Sequence, residues 1–210
     1  MDTLNAGAER LGLRLDETQA ARLVAHLDLM DEWGERMNLT AIREREAQLT
    51  RHVLDSLSVR PWLRGTRVLD VGSGAGFPGI PLAIVEPGRE FTLLDSTGKK
   101  CRFLAAVREQ LGLANVTVVN ARAEQYRPAQ RFDTVLARAV GPLAELVRNA
   151  GHLVAGQGRL LAMKGRLPED ELAAKLNGWK VAAVHRLEVP GLEEERHLVE
   201  LAHSHAQASA

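Results

Sequence analysis

The chain has 210 residues, 45 % of them apolar, and its 27 basic and 27 acidic side chains cancel to a net charge of zero. That length suffices for one substantial domain plus an extension, and the charge balance supplies no global field that would draw the protein to nucleic acid. A single cysteine, Cys101, excludes an internal disulfide and a cysteine-based zinc cluster, and no run approaches the roughly 18 uninterrupted apolar residues of a membrane helix.

Taken in chain order, residues 1–60 read as helical. Asp2 can cap a short helix that stops at Gly12, and Asp16 with Gln19 has the spacing of a capping box for the next one. There Ala20, Leu23, Leu27, Met30, Trp33 and Met37 recur at three and four, an apolar stripe that must bury against something. A third helix carries Leu49, Val53 and Leu57 and ends before Pro61. No Gly/Ser/Pro-rich linker follows, so residues 1–60 are expected to be an extension packed on a main domain at 61–204, with 205–210 a disordered tail. Charge is uneven here: residues 1–35 are mainly acidic, whereas residues 36–67 hold seven arginines against Glu44, Glu46 and Asp55. That asymmetry allows a local anion-binding face.

From residue 66 strands and helices alternate. Strands are predicted at 66–71, 91–95, 116–120, 134–138 and 159–164. Helical spacing is seen around Phe103, Leu104, Val107 and Leu111, then over 143–153 and 169–176. Such alternation argues for a parallel sheet covered on both faces. The first strand runs into Gly72-Ser73-Gly74-Ala75-Gly76-Phe77-Pro78-Gly79-Ile80-Pro81. Its glycines suit a tight turn with close ligand approach, and Pro78 and Pro81 suit the first turn of a helix. Strand, glycine loop and helix form the layout of a nucleotide-type cofactor site, and Asp95 closes the next strand at a spacing that suits a ribose hydroxyl. NAD and S-adenosylmethionine both remain open on this evidence.

The last two runs, 180–187 and 197–201, have too short a connection for a crossover helix and should pair antiparallel. A terminal hairpin on a five-stranded parallel sheet is the ending of the Rossmann-like methyltransferase fold. The loop from Gly72 to Gly79 also lacks the Lys or Arg that a pyrophosphate often finds nearby. Both points favour S-adenosylmethionine, which carries a sulfonium, an ammonium and a carboxylate. Asp70 can meet the ammonium or hydrogen-bond the loop backbone.

Five segments together resemble the bacterial small-subunit rRNA methyltransferase G family, also called glucose-inhibited division protein B. They are Asn38-Leu39-Thr40, Arg51-His52-Val53-Leu54-Asp55-Ser56-Leu57, the run from Asp70 through the glycine loop to Leu82, Leu93-Leu94-Asp95-Ser96, and Glu195-Arg196-His197. The resemblance covers residues 20–201. It implies an α/β, Rossmann-like class I S-adenosylmethionine-dependent methyltransferase fold: a seven-stranded sheet with a terminal antiparallel hairpin, plus the N-terminal helical extension. It also implies methyl transfer from S-adenosylmethionine to N7 of a guanine in the 530 loop of 16S rRNA. Carried over by position, Gly72 and Phe77 of the loop, the pair Ala123 and Glu124, and Arg138 at the end of the fourth strand would contact the cofactor, beside Gly74 and Asp95 from the loop and strand-end pattern. Phe77 stands where relatives often have leucine.

The residues suit that chemistry. Guanine N7 offers a lone pair and no proton, so no general base is needed and no catalytic residue is assigned; transfer can run on positioning and electrostatics. The fourth strand ends without the Asn/Asp-Pro-Pro-aromatic motif of adenine-N6 methylation. Cys101, inside a helix beside Phe103, reads as a buried structural residue rather than the nucleophile that cytosine-C5 methylation requires. Arg51, His52, Arg122, Lys164 and Arg196, together with Arg138, fall at loops or strand ends that can surround one cleft and meet RNA phosphates or guanine O6. For His52 a structural role is the competing reading. The expected partner is 16S rRNA in the small ribosomal subunit or an assembly intermediate, and the protein is expected to be a cytoplasmic monomer without a metal or a membrane. An NAD-dependent oxidoreductase, or an inactive methyltransferase-fold RNA-binding module, is the alternative.

Overall fold

A computed structural model describes residues 2–34, 37 and 39–204; Asn38 and the expected tail at 205–210 lie outside the described residues. The N-terminal part opens with α1 (Asp2–Arg10) and α2 (Glu17–Gly34). The capping box at α2 is reciprocal: Gln19 N–H donates to Asp16 Oδ1 at 2.7 Å, and Asp16 N–H donates to Gln19 Oε1 at 3.1 Å. On α2, Ala20, Leu23, Leu27 and Met30 are buried, while Met37 lies beyond the end of the helix. The third helix departs from the uniform one expected. It consists of α3 (Arg45–Gln48), a π-helical segment (Leu49–Leu54) and α4 (Asp55–Leu57). The wider turn shifts the phase of the helix, so Val53, Leu54, Asp55 and Ser56 are all buried in succession. Such π segments are frequent at functional sites.

The sheet contains β1 (Arg67–Val71), β2 (Glu90–Asp95), β3 (Val116–Asn120), β4 (Phe132–Arg138), β5 (Val154–Lys164), β6 (Trp179–Leu187) and β7 (Arg196–His203). Their spatial order is β3-β2-β1-β4-β5-β7-β6. The first five strands are parallel, and β7 runs antiparallel to both β5 and β6. The terminal hairpin therefore forms as expected, with its second strand inserted against β5. Strand β5 begins earlier than the sequence suggests, beside a register shift between Phe132 and Thr134. Gly158 permits this, because a Cβ there would come within 2.8 Å of the Asp133 carbonyl oxygen.

Four helices complete the main body: α5 (Gly79–Val85), α6 (Gly98–Gln110), α7 (Leu143–Ala150) and α8 (Glu169–Leu172). Helix α8 is shorter than predicted, since the chain leaves it to bury Leu176 on the α7 side of the sheet. Successive strand residues point to opposite faces, and here they separate two cores. Val68, Leu93, Leu136, Leu161 and Leu198 join Ile80 and Phe103 and the N-terminal Leu4, Leu23, Leu27 and Met30. Leu69, Leu94, Val135, Leu160 and Val199 join Leu143, Leu146 and Val147 of α7. The chain order reverses beside β1: β2 and β3 lie on one side and β4 on the other. In open α/β sheets ligands bind at the carboxyl ends of the strands flanking that switch.

Candidate functional site at the switch point

A cleft of ≈ 150 Å³ lies there, lined by Gly72 after β1, Asp95 and Ser96 after β2, Ala121 to Glu124 after β3, Val140 after β4, and Asn149 of α7. Gly72 takes φ +68°, a left-handed conformation natural to glycine, and a Cβ there would come within 3.3 Å of Val140 Cγ2. The cleft wall at that point is therefore bare backbone.

The Asp95 carboxylate supports the loop from the neighbouring strand end. Its Oδ2 accepts from Gly74 N–H at 3.0 Å and its Oδ1 from Thr97 N–H at 2.8 Å. Each oxygen retains acceptor capacity for a ligand hydroxyl. Glu124, exposed at the rim, adds a second carboxylate, and Arg122 stands beside it. Bare loop backbone with two carboxylates and one arginine suits a cationic, ribose-bearing ligand better than a pyrophosphate.

Asp70 does not line the cleft. It is 1 % exposed and its Oδ2 accepts from Gly79 N–H at 3.0 Å, tying the end of β1 to the start of α5. Burial pushes its pKa up to about 6, and its Oδ1 has no partner among the described residues. Of the two roles the sequence allows, the geometry supports the bond to the loop backbone.

The cleft thus brings together Gly72, Asp95, Ala123 and Glu124 among the expected cofactor residues, with Gly74 held behind them by Asp95. Phe77 and Arg138 lie apart from it. Phe77 is 4 % exposed and flanked by two histidine rings, His26 at 4.6 Å and His52 at 4.8 Å between centroids, with the Arg138 guanidinium 5.4 Å from its ring. Arg138 Nη1 donates to Asp55 Oδ2 at 3.1 Å and to the Arg51 carbonyl at 3.2 Å.

The expected RNA contacts separate in the same way. Arg196 Nε meets the other oxygen of Asp55 at 3.1 Å, and Arg51 pairs with Glu194. Lys164 spans the Gly141 carbonyl and Glu171, at 2.8 Å each. His52 is hydrogen-bonded to Thr40 Oγ1 at 2.9 Å, and burial, reinforced by the nearby Arg138 charge, pushes its pKa down to about 4. It is neutral near pH 7, which favours its structural reading. Arg122 lies in the cofactor cleft rather than with the others. Cys101 is buried in α6, where its Sγ meets the Asp95 carbonyl at 3.3 Å, as a structural residue should.

Two residues of this region carry no sequence signal of their own. Asp55, with a side chain 3 % exposed, joins Arg138 and Arg196; it sits inside the quoted Arg51–Leu57 motif, but nothing in its spacing names those partners. His26 falls three residues after Leu23 and four before Met30, on the apolar face of α2, and nothing in that spacing names its carbonyl partner. Among the described residues no group of three or more His, Cys, Asp or Glu is placed to hold a metal, and no helix is long and apolar enough to cross a membrane.

A family model described as rRNA small subunit methyltransferase G matches residues 19–199. A protein named ribosomal RNA small subunit methyltransferase G from Nitrosococcus oceani is 50 % identical over 198 residues, covering 94 % of this chain and 92 % of that one. One of the same name from Shewanella amazonensis is 46 % identical, covering 95 % and 97 %. Among solved structures, the mitomycin 7-O-methyltransferase MmcR superposes with a TM-score of 0.64 at 16 % identity, over 76 % of this chain and 56 % of that chain. The glycopeptide N-methyltransferase MtfA does so at 0.57 and 16 %, over 72 % and 87 %. These two likenesses bear on the fold alone.

Proposed function

The chain belongs to the rRNA small subunit methyltransferase G family, and from that premise we propose that it transfers a methyl group from S-adenosylmethionine to N7 of a guanine in the 530 loop of 16S rRNA. The observation that carries this reading is the cleft at the switch point, where Gly72, Asp95, Ala123 and Glu124 converge in a chain matched by the family from residue 19 to 199. In this reading residues 61–204 are the methyltransferase domain, residues 1–60 are an extension packed on it, and the protein works as a cytoplasmic monomer.

When bound, S-adenosylmethionine supplies an electrophilic methyl group on a sulfonium. The chain's own part is to bind, orient and exclude water. Gly72 gives the ligand unobstructed backbone, Asp95 and Glu124 accept from ribose hydroxyls and complement a cationic ligand, and Ala123 borders the base. Because N7 carries a lone pair and no proton, no side chain has to remove one, and alignment of the two reactants supplies the acceleration. Arg138 acts through Phe77 and Asp55, and so serves the geometry of transfer.

The substrate is rRNA presented in a small subunit or an assembly intermediate. The test is digestion and mass spectrometry of nucleosides from subunits and from protein-free 16S rRNA, each treated with the protein. The expected result is 7-methylguanosine at one position of the 530 loop in subunits, and little in naked fragments. A methyl group on any other atom overturns the chemistry, and efficient methylation of a short free hairpin overturns the substrate.

A further inference from the structure

The sharp turn at Gly76 is packed against α2 as well as against its own domain. Gly76 takes φ +89°, and a Cβ there would fall 2.6 Å from Ile80 Cγ1, 3.1 Å from Leu104 Cδ2 and 3.3 Å from His26 Nε2. His26 Nε2 donates to the Ala75 carbonyl at 2.8 Å, and the His26 ring stacks on Phe77 at 4.6 Å with 28° between planes. One side chain from the N-terminal helices therefore contacts the residues on both sides of Gly76 and fills the space a Gly76 side chain would need. It is fully buried. With Nε2 as donor the proton count assigns the lone pair to Nδ1, which has no partner among the described residues. His52, from the π-helical segment, stacks on Phe77 as well, at 4.8 Å and 21°. The loop is thus gripped by two elements that lie outside the strand–loop–helix unit that forms it.

We propose that His26 is a positioning residue for the cofactor loop: its hydrogen bond to the Ala75 carbonyl holds the turn that sets Gly72 and Gly74 at the cleft. The inference rests on the cofactor reading above and adds to it a residue of the N-terminal extension. A loop of bare backbone has few side chains with which to hold its own shape, and preorganised backbone binds ligand with less ordering cost. The carbonyl of Ala75 is a stiff handle on that backbone, since Gly76 N–H and Phe77 N–H both return to the Ser73 carbonyl, at 2.7 and 3.2 Å. The extension therefore does more than cover apolar surface. It sets the shape of the site.

Two substitutions separate the donor from the ring. His26→Phe keeps an aromatic ring against Phe77 and removes the N–H; His26→Gln keeps an N–H donor and removes the ring. Calorimetric titration with S-adenosylhomocysteine on the full-length protein should give binding about tenfold weaker for His26→Phe, the scale of one lost buried hydrogen bond, and within about threefold of wild type for His26→Gln. Amide hydrogen exchange of residues 72–79 should be faster in His26→Phe than in His26→Gln. A purely structural role would lower thermal stability while leaving the affinity of the folded protein unchanged. Wild-type affinity in folded His26→Phe overturns the proposal, as does a folded His26→Gln that binds as weakly as His26→Phe. If the wild type itself binds neither S-adenosylmethionine nor S-adenosylhomocysteine, the cofactor reading fails, and this proposal with it.

Discussion

Acid should destabilise this fold through His26, and replacing that residue should make the protein less sensitive to acid. His26 is fully buried, and burial pushes its pKa from the usual 6.5 down to about 4. Between those two values the unfolded chain takes up a proton at His26 and the native state does not, so stability falls as the pH drops through the window. At pH 5 the unfolded histidine is well below its pKa, and the differential amounts to about 2 kcal/mol, rising to roughly 3 below pH 4. Asp70 works the other way. Its native pKa of about 6 lies above the ordinary carboxylate value. The native state therefore gains protons first as the pH falls, and roughly 1 kcal/mol is recovered between pH 7.5 and 5. Because these effects oppose each other, the wild-type profile alone is a poor readout. The informative quantity is the difference between wild type and His26→Phe, from which Asp70 cancels. Urea unfolding followed by circular dichroism at pH 7.5 and at pH 5 measures it. The variant should gain about 2 kcal/mol on the wild type over that interval. Parallel stability curves for the two proteins would refute the assignment of a buried, neutral His26.

Gly72→Val puts a side chain on a left-handed backbone, with its Cβ within 3.3 Å of Val140; it should abolish binding of S-adenosylmethionine in calorimetry and leave the far-ultraviolet circular dichroism spectrum intact. Arg138→Ala should lower methylation about tenfold or more. It should also cost ~2 kcal/mol in urea unfolding, because it removes one of two guanidiniums from a carboxylate only 3 % exposed. Gly79→Ala should destabilise by ~2 kcal/mol, since its Cβ would lie 2.3 Å from Leu93 Cδ2 and 2.8 Å from Asp70 Oδ2; a thermal melt within a degree of wild type would contradict that packing.

What the sequence disclosed is what short-range physics encodes. The β1–loop–α5 unit, the Asp16–Gln19 cap and the terminal hairpin each follow from residues within a few positions of one another, where periodicity, glycine and capping chemistry apply directly. Asp95 was legible because a strand ending has a fixed place at the rim of a parallel sheet. The Asp55 cluster was not. It joins residues separated by 83 and 141 positions, and the decision between an arginine that reaches RNA and one that folds back on a carboxylate is made by tertiary packing. The π-helical turn hid in the same way: Leu49, Val53 and Leu57 fit a regular helix, and the wider turn shows only in the successive burial of Val53 and Leu54 in the core with Leu4. His26 was concealed by its own helix, since a polar residue on an apolar stripe reads as an exception until its carbonyl acceptor is seen.

The pairing of the basic residues bears on how an RNA substrate is selected. Arg51 is engaged by Glu194, Arg138 and Arg196 by Asp55, and Lys164 by Glu171, while His52 is neutral. A phosphate that drew Arg138 or Arg196 away would leave the buried Asp55 carboxyl, whose pKa burial already raises, with half its compensation gone. Exchange of partners is less costly at Arg51, where both side chains are more than two-fifths exposed. Two features hold down the electrostatic attraction to generic RNA: the net charge is zero, and Arg51, Arg138, Lys164 and Arg196 are already paired with carboxylates. Weak non-specific attraction means that discrimination has to come from shape, from a surface that fits the cleft mouth over many contacts at once. Folded rRNA offers such a surface. A flexible oligonucleotide would first have to be ordered, a cost that a preformed surface avoids.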